Sequence, residues 1–350
     1  MAALTHRAGP VRVLLVDDSA TVRALLRAMI EHDPSLQVCG EAADGRDAVA
    51  RAHDLQPDLI TMDLQMPAMD GMEAIGEIMA TCATRILVVS DIADAANCMA
   101  AVASGALDAV PKPKVDDWPA FNARLRMLAG VPVIRHLRAR RAALAPPPPE
   151  PSATAATARR VVAIAASTGG PLALARLLPA LPADLAAPVL IAQHIADGFI
   201  GGMAQWLNGL CALPVAVAAH GEPLRPGRIY LADPASHLTV LPDLSAELCP
   251  RTERDRYRPS CDALLCSVAR AAGRQAIGVI LTGMGRDGAH GIAAVAAAGG
   301  TTIAQDEESS VVFGMNREAI ADGGVQRVLP LDAIPAVLIQ LAGRTPPSPS

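Results

Sequence analysis

Aromatic residues are almost absent from this chain: Phe, Tyr and Trp make up 2% of its 350 residues, although 51% are hydrophobic. The apolar mass is instead rich in alanine, valine and leucine, which suits helices packed on parallel sheets whose strands are buried on both faces. No apolar run reaches membrane-spanning length, because Gly, Pro or a charge interrupts the longest ones, so no membrane insertion is expected. Met1 to Pro10 lacks the apolar centre of a secretory signal. The seven cysteines include no C-x-x-C pair. Their odd number and scatter argue against zinc and fit small buried hydrophobes in a reducing cytoplasm. A basic excess is missing as well: the formal net charge of −5 argues against a general nucleic-acid binder. The one basic run, Arg135 to Arg141, reads as a solvated helix end leading into a linker.

What is present is a repeated strand–helix rhythm. Val11–Val16, Gln37–Ala42, Leu59–Met62, Ile86–Val89 and Leu107–Val110 read as short buried strands, with helical spacing over Thr21–Ile30 and Gly45–His53. Such alternation predicts a doubly wound parallel sheet, and every strand then points its carboxyl end at one edge. Asp17 and Asp18 follow the first strand and Asp63 the third, Ser90 ends the fourth, and Lys112 follows the fifth. Carboxylates at loop starts are common helix caps. Three acids gathered at one edge are costly unless a hard divalent cation such as Mg²⁺ neutralises them. Lys112 and the Ser90 hydroxyl are suited to phosphoryl oxygens.

These stretches, Val13-Leu14-Leu15-Val16-Asp17-Asp18-Ser19, Pro57 to Pro67 with Met69-Asp70-Gly71, and Lys112-Pro113, resemble the receiver domain of a two-component response regulator. The resemblance covers roughly Arg12 to Leu128. It implies that Asp63 accepts a phosphoryl group from a histidine kinase, that Asp17, Asp18, Asp63 and the Gln65 carbonyl hold Mg²⁺, and that Ser90 and Lys112 sense the phosphate. One position departs from the family: Ala109 stands where a switch aromatic is usual.

Between Ala129 and Arg160 the rhythm dissolves into Pro146-Pro147-Pro148-Pro149-Glu150-Pro151 and small residues, which read as an interdomain linker. A second rhythm then begins. Val161–Ala166 is a strand running into Ser167-Thr168-Gly169-Gly170, with a helix over Leu172–Leu178. The turn is similar to the hydrolase elbow G-x-S-x-G, with Ala165 in place of the first glycine. Such turns also bind phosphate or cap helices, so Ser167 needs partners. Val189–Ala192 delivers Gln193-His194, and Ala276–Leu281 runs into Thr282-Gly283-Met284-Gly285-Arg286-Asp287-Gly288 before a helix over Ile292–Ala298. A lone histidine is more often structural, but this one shares an edge with Ser167 and Asp287. A hydroxyl needs an imidazole to take its proton, and the imidazole needs a carboxylate to orient it. The rival, a nucleotide cradle, lacks the spacing of either standard phosphate fingerprint and does not call for a histidine.

The stretches Ala166 to Pro171, Gln193-His194, Arg258-Pro259-Ser260, Leu281 to Gly288 and Val312-Phe313-Gly314-Met315 resemble the catalytic domain of the chemotaxis protein-glutamate methylesterase family. That resemblance implies hydrolysis of glutamate methyl esters on the cytoplasmic domains of methylated chemoreceptors, with deamidation of receptor glutamines as a further activity. It implies Ser167 as nucleophile, His194 as base, Asp287 as its orienter, and amides near Thr168 and Met284 as the oxyanion hole. No cofactor is expected for ester hydrolysis. Ala165 and Ile195-Ala196-Asp197 depart from the family pattern. Arg256 and Arg258 read equally as a steering patch for an acidic receptor helix or as a solvated loop.

The expected architecture is α/β, with two doubly wound parallel-sheet domains: a flavodoxin-like receiver over 11–128 and a Rossmann-like esterase domain over 159–344. A Pro/Ala-rich linker over 129–158 joins them, and 345–350 is a tail. The expected protein is a cytoplasmic, phosphorylation-activated serine carboxylic-ester hydrolase serving sensory adaptation. A non-enzymatic signalling module is the competing class, against which the intact Ser/His/Asp set argues. A DNA-binding output finds no helix-turn-helix pattern.

Overall fold

The structure is a computed structural model that describes residues 9–91, 95–131, 160–252 and 255–344. The polyproline run, Arg135 to Arg141 and the tail from Thr345 lie outside the described residues. The chain divides into two compact units, residues 1–141 and 142–350.

In the first unit strands and helices alternate: β1 (Val11–Val16), α1 (Ala20–Glu31), β2 (Leu36–Ala42), α2 (Gly45–Leu55), β3 (Leu59–Met62), α3 (Gly71–Thr81), β4 (Arg85–Ser90), α4 (Ala95–Ser104), β5 (Asp108–Pro111) and α5 (Trp118–Ala129). All neighbouring strands pair in parallel in the order β2-β1-β3-β4-β5. Leu14, Leu15, Leu59, Ile60, Ile86, Leu87 and Val88 are fully buried, as a sheet covered on both faces requires. Ser19, Asp44 and Asp70 start α1, α2 and α3 by accepting from the amides of Val22, Asp47 and Glu73, which supplies the partners that first-turn N–H groups lack. The strand order reverses between β1 and β3, so a ligand crevice opens beyond their carboxyl ends, next to Asp17 and Asp63.

The second unit comprises β6 (Val161–Ala166), α6 (Gly170–Leu177), β7 (Val189–Gln193), α7 (Ile200–Leu210), β8 (Val215–Val217), β9 (Ile229–Leu231), β10 (Ser236–Val240), β11 (Ala246–Pro250), α8 (Cys261–Ala272), β12 (Ala276–Ile280), α9 (Ala289–Ala297), β13 (Thr301–Gln305), α10 (Met315–Ala321), β14 (Arg327–Leu329) and α11 (Ile334–Ala342). Seven strands form one parallel sheet in the order β14-β13-β12-β6-β7-β9-β8. Its order reverses at β6, and Ser167 sits there. Ala163 and Ala165 on β6 belong to one buried cluster with Leu264, Leu265 and Val268 of α8 and Ile292 and Val295 of α9; small strand residues let the helices lie close.

The structure departs from the sequence-based expectation at the helix after Asp287, which begins at Ala289 rather than Ile292, and in two further details. The helix after Ser167 begins at Gly170 rather than Leu172, immediately behind the turn. The parallel rhythm is also interrupted by an antiparallel ribbon, β10 with β11, closed by a turn in which Asp243 accepts from the amide and hydroxyl of Ser245. Val240 of the ribbon donates its amide to Ser267 Oγ on α8, which holds the ribbon's His237 beside the start of that helix.

Candidate active site

Ser167, His194 and the Asp287 turn follow β6, β7 and β12, three adjacent strands. Ser167 Oγ lies 3.1 Å from His194 Nδ1, and His194 Nε2 lies 2.7 Å from Asp287 Oδ2. Asp287 accepts only, so it sets the ring proton on Nε2 and leaves Nδ1 free to accept from the serine hydroxyl. The ring is thus used in the opposite sense to the protease pattern, in which Nε2 faces the serine.

Asp287 is 2% exposed and saturated with donors. Besides His194 it accepts from the Cys261 amide at 2.7 Å, the Asp262 amide at 2.9 Å and the Ser260 hydroxyl at 3.2 Å, all at the start of α8. Burial alone would push its carboxyl up. The His194 contact and the two amides outweigh burial and hold it below the usual carboxylate range. The arrangement is reciprocal: Asp262 Oδ1 accepts the Gly288 and Gly291 amides at 2.9 and 2.7 Å, so each acid caps the helix that the other belongs to or precedes. Cys261 Sγ lies 3.5 Å from His194 Nε2, but burial raises the thiol well above its ordinary value, so it is protonated and a poor nucleophile.

Tyr257, one of only two tyrosines, stacks on His194 with ring centroids 5.1 Å apart and planes at 11°. His237 Nδ1 accepts the Ser260 amide at 3.0 Å while its Nε2 lies 3.1 Å from Asp255 Oδ2. No motif or spacing in the sequence singles out Tyr257, His237, Asp255, Cys261 or Asp262. Only Ser260, an N-cap residue ahead of an apolar helix, carried a local signal.

The Thr282–Gly288 turn packs directly on Ser167. The Ser167 amide donates to the Thr282 carbonyl at 3.0 Å, and a Cβ at Gly283 would fall 2.7 Å from Ser167 Cβ, so only glycine admits this approach. The Thr282 hydroxyl donates to the Thr168 carbonyl at 2.9 Å and accepts the Val312 amide at 2.9 Å. The Gly314 and Met315 amides both donate to the Gly283 carbonyl, which gives the Val312 to Met315 stretch its part: it braces the turn. Met284 is 54% exposed, and among the described residues its amide donates no hydrogen bond. Arg256 and Arg258 are exposed. Asp197, in the segment that departs from the family pattern, forms a bidentate pair with Arg251 at 2.8 and 2.9 Å.

In the first unit Asp17 and Asp63 are buried, Asp18 is exposed, and one oxygen of each lies within 4.8 Å of the others. Lys112 Nζ sits between the buried pair, 2.8 Å from Asp63 Oδ2 and 3.0 Å from Asp17 Oδ2. The Asp17 contact is an ion pair, whose charge attraction is not directional. Burial would lower the lysine's pKa, but Asp63 and Asp17 together raise it, so it stays charged. Burial raises the Asp17 carboxyl above its ordinary range, with Asp63 adding to the rise. Ser90 Oγ and the Leu64 amide donate to Asp63 Oδ1 at 3.1 and 2.7 Å, and the exposed Gln65 brings its amide to 3.5 Å. Three carboxylates against one ammonium, with all-oxygen donors, fit a hard divalent cation such as Mg²⁺. Ala109 is buried, with no ring at that position.

Residues 162–338 match the family described as CheB methylesterase, and residues 13–118 match the response regulator receiver domain. The protein-glutamate methylesterase/protein-glutamine glutaminase 3 of Paramagnetospirillum magneticum is 49% identical over 344 residues, 96% of this chain and 97% of the relative. The enzyme numbered 2 under the same name in Anaeromyxobacter dehalogenans is 46% identical, covering 95% of this chain and 97% of its own. Among solved structures, the Thermotoga maritima CheB methylesterase catalytic domain aligns with a TM-score of 0.51 at 38% identity, over 52% of this chain and 98% of that one.

Proposed function

The chain belongs to the CheB methylesterase family, hydrolases here preceded by a response regulator receiver domain, and from that premise we propose that it removes methyl esters from chemoreceptor glutamates through Ser167, His194 and Asp287. The observation that carries this reading is the unbroken contact from Ser167 Oγ through both nitrogens of His194 to Asp287 Oδ2, at 3.1 and 2.7 Å.

The sequence of steps follows from those contacts. His194 Nδ1 takes the hydroxyl proton as Ser167 Oγ bonds to the ester carbonyl carbon, and Asp287 stabilises the imidazolium. The oxyanion is held by the amides of Thr168 and Met284. His194 returns the proton to the departing methanol. Water then repeats the attack on the acyl-serine, freeing the glutamate. With a receptor glutamine, ammonia is the first leaving group, in keeping with the glutaminase named in the relatives. No cofactor takes part in this half.

In the receiver, Asp63 takes a phosphoryl group from a chemotaxis histidine kinase, and phosphorylation raises esterase activity. Asp17, Asp18, Asp63 and the Gln65 carbonyl would hold Mg²⁺, which would supply charge neutralisation for the transfer. Ser90 and Lys112 bond the phosphoryl oxygens. The working boundaries are 11–128 for the receiver, 129–158 for the linker, 159–344 for the esterase and 345–350 for a tail, in a protein that acts in the cytoplasm. No helix among the described residues is long and apolar enough to cross a membrane.

The test is methanol release from methylated receptor membranes. Ser167→Ala is expected to lower it by about 10⁴-fold or more, with wild-type folding. Near-normal turnover in that variant would refute the nucleophile assignment.

A further inference from the structure

We propose that Gln193 is a positioning residue whose carboxamide ties the strand end bearing the nucleophile to the strand end bearing the base. The inference rests on the Ser167–His194 reading above. Gln193 closes β7 and is 2% exposed. Its Nε2 donates one proton to the Ser167 carbonyl at 2.8 Å and the other to the His194 carbonyl at 2.9 Å. The parallel ladder between β6 and β7 ends with the His194 amide on the Ala166 carbonyl at 3.0 Å. Past that rung the two backbones part, and the Gln193 side chain supplies the next connection, at the two residues that must exchange a proton.

The two carbonyls also decide which way the amide lies, since its oxygen would be repelled there. Oε1 therefore turns towards Gly170, where it is buried with no hydrogen-bond partner. An unpaired buried acceptor is destabilising, and a methionine or leucine would fill the same space without one. What only the carboxamide provides is its pair of donors. Gly170 completes the device: a Cβ there would lie 1.9 Å from Gln193 Oε1, so any side chain at 170 pushes the amide off its two carbonyls.

The experiment uses the full chain and three readouts: kcat and KM for ester hydrolysis on receptor membranes, the rate of Ser167 labelling by a fluorophosphonate, and thermal unfolding. Gln193→Met is expected to reduce kcat and labelling together by about 10- to 100-fold through misplacement of the reacting atoms, with KM within about twofold. Gly170→Ala should reproduce that loss, and should cost less when combined with Gln193→Ala than alone. Gln193→Glu keeps the shape but donates only when protonated, so its activity relative to wild type should rise as pH falls. Wild-type kcat and labelling in Gln193→Met, or a lowered melting temperature with normal labelling of the folded fraction, would overturn the inference. A Gln193→Glu pH profile parallel to wild type would do the same. Ser167→Ala separates the two claims: if it still labels and turns over, the triad reading fails, whereas a dead Ser167→Ala beside an unaffected Gln193→Met refutes the positioning role alone.

Discussion

Both sheets place an aspartate at the reversal point of their strand order, yet the two acids live in opposite circumstances. Asp287 receives two backbone amides, a hydroxyl and an imidazole, and needs nothing from solution. Asp63 too accepts from an amide, a hydroxyl and a lysine, but it shares its edge with Asp17 and Asp18, and the one ammonium of Lys112 serves both buried carboxylates. The first site is electrostatically complete before substrate arrives, which is what a preorganised catalyst requires. The second is left with surplus negative charge, which makes it responsive to an added cation. A permanent tool and a responsive switch thus differ less in fold than in how fully their carboxylates are paired.

Amide substitutions break this comparison most severely. Asp63→Asn should abolish Mg²⁺-dependent phosphorylation by acetyl phosphate, read as acid-stable-protein counts of labelled phosphate; persistent labelling would place the acceptor elsewhere. Asp287→Asn should lower kcat by about 10⁴-fold, as a carboxamide favours the wrong imidazole tautomer.

On stability the two halves should diverge in sign. Asp287 is held below the ordinary carboxylate range, so its contribution is full above that range and lost as pH falls through its lowered value. Asp17 is held above that range, so its contribution is full below the ordinary value and lost as pH rises through the raised one. At pH 7 without Mg²⁺, Asp287→Asn should therefore cost about 2 kcal/mol, while Asp17→Asn should shift stability the other way. Chemical denaturation of each variant, followed by a probe in its own unit, checks both signs. Destabilisation by Asp17→Asn would show that Lys112 already balances the cluster.

The smallest effect tests the exposed arginines. Arg256→Ala with Arg258→Ala should raise KM for receptor membranes about threefold, less at high salt, and leave hydrolysis of a small methyl ester unchanged. An unchanged KM would make them a solvated loop.

Much of this organisation is legible in the chain because its logic is local. Each of these apolar runs ends at a candidate site residue, so Asp17, Asp63, Ser90, Ser167 and His194 can be placed at strand ends from sequence alone. Beyond His194, what surrounds Asp287 is not legible, because two of its donors are backbone amides of Cys261 and Asp262, some 25 residues earlier, and an amide has no side-chain signature. The ribbon that carries His237 is hidden for a related reason: its two strands are only partly buried, and their meaning depends on α8 packing against them. Nothing in the spacing of its neighbours announces that Tyr257 stacks on His194.

The mutual capping of α8 and α9 bears on how descendants of this protein are to be interpreted. Asp287 holds the first turn of one helix whether or not any ester is ever cleaved, and Asp262 returns the service to the other. A lineage that abandoned catalysis would be free to lose Ser167 and His194, whose side chains bond chiefly to each other and to Asp287, but would still be held to the aspartate by folding. An intact acid at this position in a distant homologue therefore attests to the architecture, and the serine and histidine alone testify to the chemistry.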